Sequence, residues 1–176
     1  MNYEESLAYL DELNVFGMNF GLARIEKLLY LLGEPQKAYK TLHVTGTNGK
    51  GSVTAMLASG LRSAGIRTGM YISPHLSSYT ERMVIDGRQV SEAQFADALS
   101  VVRDICEFMA GEGDEHPTQF EVITAAAFLL FQKEKVEYAV IEVGLGGLLD
   151  STNVILPEVS VITNVTFEHG DKCGGT

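Results

Sequence analysis

A short apolar strand, Thr41-Leu42-His43-Val44, runs straight into Thr45-Gly46-Thr47-Asn48-Gly49-Lys50-Gly51-Ser52, and a helix-like stretch from Val53 to Ala64 follows at once. After Gly65 comes a second strand pattern, Arg67 to Ile72. Strand, helix and strand at this spacing form a crossover unit, which makes the two strands parallel and is almost always right-handed. The glycines let the loop backbone curl so that successive N–H groups face one point. Lys50 adds a positive charge, and the following helix offers the positive end of its dipole. That arrangement suits a phosphate group. It is not a strict Walker A loop, because Val44 stands where the first glycine belongs and Gly51 separates Lys50 from the hydroxyl of Ser52. A glycine-rich turn carrying a surface lysine is the competing reading, and the order of strand, loop and helix argues against it.

The alternation continues along the chain. Residues 3 to 33 carry two helical patterns; in the second, Ile25, Leu28, Leu29 and Leu32 recur at helical spacing, and Gly33 with Pro35 closes it. Asn14 to Gly21, between them, suits a loop. Glu81 to Ile85 reads as a strand and Asp86-Gly87 as a turn, and Ser91 is placed to cap a helix that runs to about Ala110. A loop over 111–118 leads to a helix from Gln119 to Lys133, a strand from Tyr138 to Val143, a glycine-rich loop, and a strand from Val159 to Val165. The expected fold is α/β, a P-loop-containing, mostly parallel sheet with helices on both faces.

Composition narrows the partners. With 176 residues, 45% of them apolar and 20% charged, the chain can build one domain around a real core. A net charge of −10 argues against a nucleic-acid surface, which needs clustered Lys and Arg, but leaves a small phosphate ligand open. No uncharged apolar run reaches the roughly 18 residues of a membrane span. Met1-Asn2-Tyr3-Glu4-Glu5 lacks the layout of a signal peptide, so a cytoplasmic location away from membranes is expected. Cys106 and Cys173 have no metal-type spacing and are expected as unpaired thiols.

Gly46-Thr47-Asn48-Gly49-Lys50 followed by Gly51-Ser52 resembles the nucleotide loop of the Mur ligase superfamily, and the Gly51-Ser52 ending resembles its folate branch, the folylpolyglutamate and dihydrofolate synthases. Four further segments resemble the same branch. They are Ser73-Pro74-His75-Leu76 with Tyr79-Thr80-Glu81-Arg82; Thr118-Gln119-Phe120-Glu121 with Thr124-Ala125; Glu142-Val143-Gly144-Leu145-Gly146-Gly147 with Asp150-Ser151-Thr152-Asn153; and Thr163-Asn164-Val165 through His169 to Gly174 and Thr176. The resemblance covers almost the whole chain, in order.

It implies a Mur ligase-like central domain belonging to an ATP- and magnesium-dependent ligase. Such an enzyme adds L-glutamate to the carboxylate of dihydropteroate or of tetrahydrofolate and its polyglutamates. The acid takes the γ-phosphate of ATP to form an acyl phosphate, which the glutamate amine then attacks. That chemistry needs charge stabilisation and positioning more than a covalent catalyst, and no residue is assigned as catalytic. By resemblance, Gly46, Thr47, Asn48, Gly49, Lys50, Gly51 and Ser52 bind ATP, and Ser73, Glu142 and His169 hold the metal. A carboxylate at a strand end suits magnesium, whereas histidine is an unusual ligand for it. Thr118, Gln119, Phe120 and Glu121, with Leu149, Asp150 and Ser151, are the expected pterin or folate contacts. Phe120 is suited to pack on a flat ring and Glu121 to accept ring N–H groups. The competing reading makes Phe120 core and Glu121 a first-turn helix acid. Gly21-Leu22-Ala23-Arg24 is a further substrate contact on this reading, His43 a core-strand residue and His116 a loop residue.

Three positions depart from the family pattern: Leu148 replaces an arginine, Glu168 an aspartate and Cys173 a leucine. Residues 1–176 read as a single ATP-binding α/β domain, truncated relative to the family. The family's carbamylated lysine, its ATP base and ribose contacts and its C-terminal glutamate-ligase domain are expected beyond Thr176. The 176 residues alone are then expected not to ligate glutamate, and the full-length form is expected to be monomeric. A non-catalytic nucleotide-binding module and another Mur-type amino-acid ligase are the two other readings. The Gly51-Ser52 ending and the folate-like loops argue against the second of these.

Overall fold

Side chains alternate across each strand, and that alternation assigns them to layers. In β1 (Lys40–Thr45), Leu42 and Val44 face one side of the sheet, where with Val140 they pack against Val53, Leu57, Ala58 and Leu61. In β5 (Tyr138–Glu142), the neighbours of Val140, Ala139 and Ile141, join the main core on the opposite side. The structure, a computed structural model, describes residues 1–17 and 19–166. Among the described residues six strands form one sheet in the order β4-β3-β2-β5-β1-β6. β2 (Thr68–Tyr71), β5, β1 and β6 (Val159–Ile162) run parallel, and β3 (Met83–Ile85) with β4 (Arg88–Gln89) adds an antiparallel hairpin at one edge. The hairpin turn is Asp86-Gly87, both at positive φ (49° and 79°), the conformation that a two-residue loop between twisted strands requires.

α3 (Lys50–Ser63) covers the Leu42–Val44–Val140 face. On the other face lies α5 (Gln119–Lys133), buried continuously from Glu121 to Phe131. A helix apolar all round needs cover on every side. The sheet supplies one side, and α1 (Tyr3–Glu12), α2 (Ala23–Leu31) and α4 (Glu92–Gly111) supply the other. Gly69 in β2 permits the close approach, since a Cβ there would come within 3.0 Å of the Phe131 ring. Cys106 is an unpaired thiol inside this core, its pKa pushed up to about 12 chiefly by burial. No helix among the described residues is long and apolar enough to cross a membrane.

The α/β class, the parallel crossover and the helices on both faces agree with the sequence reading. Several elements differ locally. The last strand ends at Ile162 rather than Val165, and Arg88–Gln89 adds a short strand that was not expected. The helix after the glycine loop starts at Lys50 rather than Val53, because Gly49, at φ 79°, is already its N-cap. Residues Tyr79–Arg82 form a 3₁₀ turn rather than the start of a strand. There Ser78 and Glu81 make a capping box, and the Glu81 carboxylate collects the N–H groups of Leu76, Ser77 and Ser78.

From β1 the chain crosses to β2, returns to β5 beside β1, and then crosses to β6 on β1's other flank. The direction of winding reverses at β1, and α/β sheets bind ligands at the carboxyl ends of strands at such a reversal. The carboxyl end of β1 is the glycine-rich loop, and Glu142, paired with Val44 in the register, ends β5 beside it.

Candidate functional site

The loop from Gly46 to Ser52 is held from outside. Thr47 N–H donates to Asn164 O (3.0 Å) and Asn48 N–H to Asn164 Oδ1 (3.0 Å), while Thr163 Oγ1 donates to Asn48 O (2.7 Å). Gly46 adopts φ 134°, and a Cβ on it would lie 2.1 Å from Thr163 Oγ1, so only glycine fits there. Lys50 Nζ folds back onto Gly46 O (2.9 Å) and Thr47 O (3.3 Å), which puts its charge within the concavity of the loop. Lys50 also begins α3, so the helix N-terminus opens into the same place.

Glu142 lies against this loop. Its carboxylate oxygens are both 3.7 Å from where a Cβ of Gly51 would be, and Oε2 accepts the Ser73 N–H at 3.0 Å. Only 4% of the residue is exposed. Burial holds its pKa above the usual carboxylate value, opposed by the Ser73 N–H and by the charge of Lys50. A desolvated carboxylate of this kind gains from a cation, and carboxylate plus serine hydroxyl is a hard-oxygen donor pair suited to magnesium. No three His, Cys, Asp or Glu side chains converge among the described residues. The sequence-based third metal donor, His169, lies outside them.

Ser73 also borders a cleft of about 280 Å³ whose walls include Phe120, Thr118, Leu149, Asp150 and Ser151. Five of the seven residues expected to touch a pterin or folate therefore meet there. Gln119 and Glu121 face elsewhere. Gln119 Nε2 donates to Leu10 O (2.8 Å) and Asn14 Oδ1 (3.1 Å), which ties down the N-terminal segment. Glu121 is 1% exposed; it closes a capping box with Thr118 and pairs with Arg24 Nε at 3.2 Å. Arg24 in turn donates to Asn19 O (2.5 Å), so it braces the loop before it. His116 stacks on Phe16, with centroids 4.9 Å apart.

The cleft also holds residues that sequence reading did not place there: Asn19, Phe20 and Arg82. Arg82 Nε donates to His75 Nδ1 (2.8 Å), and its guanidinium lies 5.2 Å from the Tyr79 ring centroid. His75 therefore carries no proton on Nδ1. Burial, then the charge of Arg82, holds its pKa below the usual histidine value, against the pull of Glu81. Gly144 forms the cleft floor, where a Cβ would stand 2.6 Å from Phe120 Cζ and 3.0 Å from Asp150 Oδ2. The geometry thus joins the glycine-rich loop and a largely apolar cleft through one buried carboxylate.

Comparison with known proteins identifies the family. Residues 44–176 match the family described as the Mur ligase middle domain. Folylpolyglutamate synthase of Lacticaseibacillus casei is 41% identical over 177 residues, covering 100% of this chain and 41% of the relative. The dihydrofolate synthase/folylpolyglutamate synthase of Bacillus subtilis is 35% identical over 99% of this chain and 41% of its own length. A solved apo form of L. casei folylpolyglutamate synthase superposes with a TM-score of 0.93 at 41% identity, covering 100% of this chain and 43% of that one. A folylpolyglutamate synthase complex with AMPPCP and folate gives 0.87 at 41% identity, over 96% of this chain and 42% of that one. The chain thus spans about two fifths of the length of these relatives.

Proposed function

Since the chain belongs to the Mur ligase middle-domain family, in its folylpolyglutamate synthase/dihydrofolate synthase branch, we propose that it holds ATP and a folate-type acid for the ATP-dependent addition of L-glutamate to that acid. The observation that carries the reading is the position of Glu142, between Gly51 of the phosphate loop and Ser73 at the cleft. The acid carboxylate and the γ-phosphate of ATP would meet there.

In this reading the backbone N–H groups of Gly49, Lys50, Gly51 and Ser52, which Asn164 leaves free, and the Lys50 ammonium take the phosphate charge that grows as the acid attacks. Phe120 and Leu149 hold the flat ring system, and Asp150 and Ser151 accept or donate at its polar edge. Arg82, at the cleft wall, is a cation for the acid's carboxylate. Magnesium would be held by Glu142 and the Ser73 hydroxyl, with His169 as third donor, and would neutralise phosphate oxygens. Glutamate as the second substrate, a cytoplasmic location and a monomeric enzyme belong to the same reading.

Binding separates this reading from its two rivals. The protein is titrated with AMPPCP and magnesium, and then with folate, dihydropteroate or a muramyl peptide precursor. Folate or dihydropteroate binding in the presence of nucleotide is expected. A muramyl ligand bound instead would move the protein to another Mur-type reaction, and nucleotide binding with no acid would make it a nucleotide module.

The cleft floor makes its own prediction. Gly144→Ala places a methyl group against Phe120 and Asp150. Overpacking costs about 1–3 kcal/mol, so folate affinity should fall roughly tenfold or more while AMPPCP affinity holds. Equal folate affinity in the two proteins, measured by calorimetry, would place the ring elsewhere.

A further inference from the structure

We propose that His43, on the strand that feeds the phosphate loop, is a positioning residue for the acid-substrate cleft: through Thr152 it fixes Asp150, and through Asp150 the segment from Leu145 to Ser151. The identity of the cleft's ligand rests on the folate reading above; the positioning itself does not.

His43 is buried on the side of β1 away from α3, with Nε2 2.8 Å from Thr152 Oγ1. The same hydroxyl lies 2.5 Å from Asp150 Oδ1. A carboxylate oxygen only accepts, so the single hydroxyl proton of Thr152 goes to Asp150. The hydroxyl must then accept from the ring, and the His43 proton sits on Nε2. Burial holds the ring's pKa below the usual histidine value, with Asp150 opposing, so at neutral pH the ring is neutral in this one tautomer.

Asp150 distributes what it receives. Oδ1 also accepts the Thr152 N–H (2.9 Å), and Oδ2 accepts the Leu145 N–H (2.8 Å). Leu145 and Asp150 both line the cleft. A second tie from the same strand, Thr45 Oγ1 to Gly146 O at 2.8 Å, pins the glycine end of the segment. β1 therefore grips the cleft loop at Gly146 and at Thr152. A histidine that merely filled core volume would need neither a specific tautomer nor a hydroxyl partner.

The test compares His43→Leu, His43→Gln and Thr152→Val with the unaltered protein. Imidazole ¹⁵N shifts should show the proton on Nε2 at neutral pH. His43→Leu and Thr152→Val should speed amide exchange at Leu145 and Thr152 about tenfold, as expected for one lost buried hydrogen bond. Folate affinity should fall by a similar factor, with AMPPCP affinity held within about twofold. His43→Gln keeps a donor and should recover most of both losses. A ring protonated on Nδ1, or exchange at Leu145 and folate affinity unchanged in His43→Leu, would overturn the proposal. Should His43→Leu fail to fold, the tautomer and Thr152→Val decide it. If the unaltered protein binds no folate, the functional reading fails, while the tautomer and the Leu145 exchange still decide this one.

Discussion

Glu142→Gln is expected to raise the melting temperature at neutral pH and to remove most of the magnesium-dependent nucleotide affinity. Both effects come from one charge. The Glu142 carboxyl is buried, and burial holds its pKa above the ordinary value. The folded protein therefore binds this proton more readily than the unfolded chain does. Its stability falls as pH rises through the raised pKa, because above it the fold must contain a desolvated carboxylate. Glutamine keeps an oxygen for the Ser73 N–H and carries no charge, so the gain should be largest at neutral pH and vanish below the unfolded value near 4.5. Nucleotide affinity without metal should change little. With magnesium it should drop by roughly ten- to hundredfold, the scale of a charge-assisted contact. Thermal melts across pH and titrations with and without magnesium check the two halves separately. A destabilised variant with intact magnesium dependence would make Glu142 a structural anchor and not a metal donor.

Lys50→Ala should weaken AMPPCP by a similar factor, about 1.5–3 kcal/mol, with almost no loss of stability. Lys50 is the only basic residue between Gly46 and Ser52, so nothing else in that loop compensates the phosphate charge. The loop's shape rests on other groups: Asn164 and Thr163 hold Thr47 and Asn48, and Gly49 starts the helix without a side chain. The alanine variant therefore keeps these ties and loses the cation together with its two bonds to Gly46 O and Thr47 O. Calorimetry with AMPPCP beside a thermal melt distinguishes this from general damage. An unchanged affinity in a folded variant would mean that the loop does not hold phosphate.

The strand–loop–helix at 41–64 was readable because each part is local: apolar strand, glycines and helix follow one another in the chain. The capping residue Ser91 was readable for the same reason. The turn at Tyr79–Arg82 was also local, since Ser78 and Glu81 have capping-box spacing, yet Met83 to Ile85 beside it draw the eye to a strand. Side-chain bonds from Glu81 to three backbone N–H groups outweigh that strand preference.

The cleft was legible only in part. Thr118, Gln119, Phe120 and Glu121 are consecutive at a helix start, and successive helical residues point some 100° apart, so they do not share one face. Which of them meets the cleft depends on what covers the others, Leu10 and Arg24, far away in the chain. Phe20 and Arg82 enter the cleft through tertiary packing that leaves no local pattern. His43 was readable as a core-strand residue, but its partner Thr152 lies 109 positions away.

The most direct measurement is a crystal structure of the protein with AMPPCP and manganese, the metal being located by its anomalous signal. The account predicts the phosphates on the N–H groups of Gly49 to Ser52, at the start of α3. It also predicts one metal peak about 2–2.3 Å from a Glu142 carboxylate oxygen and the Ser73 hydroxyl, facing the cleft that holds Phe120. Phosphates seated away from that loop, or a metal peak with neither Glu142 nor Ser73 as a ligand, would contradict it.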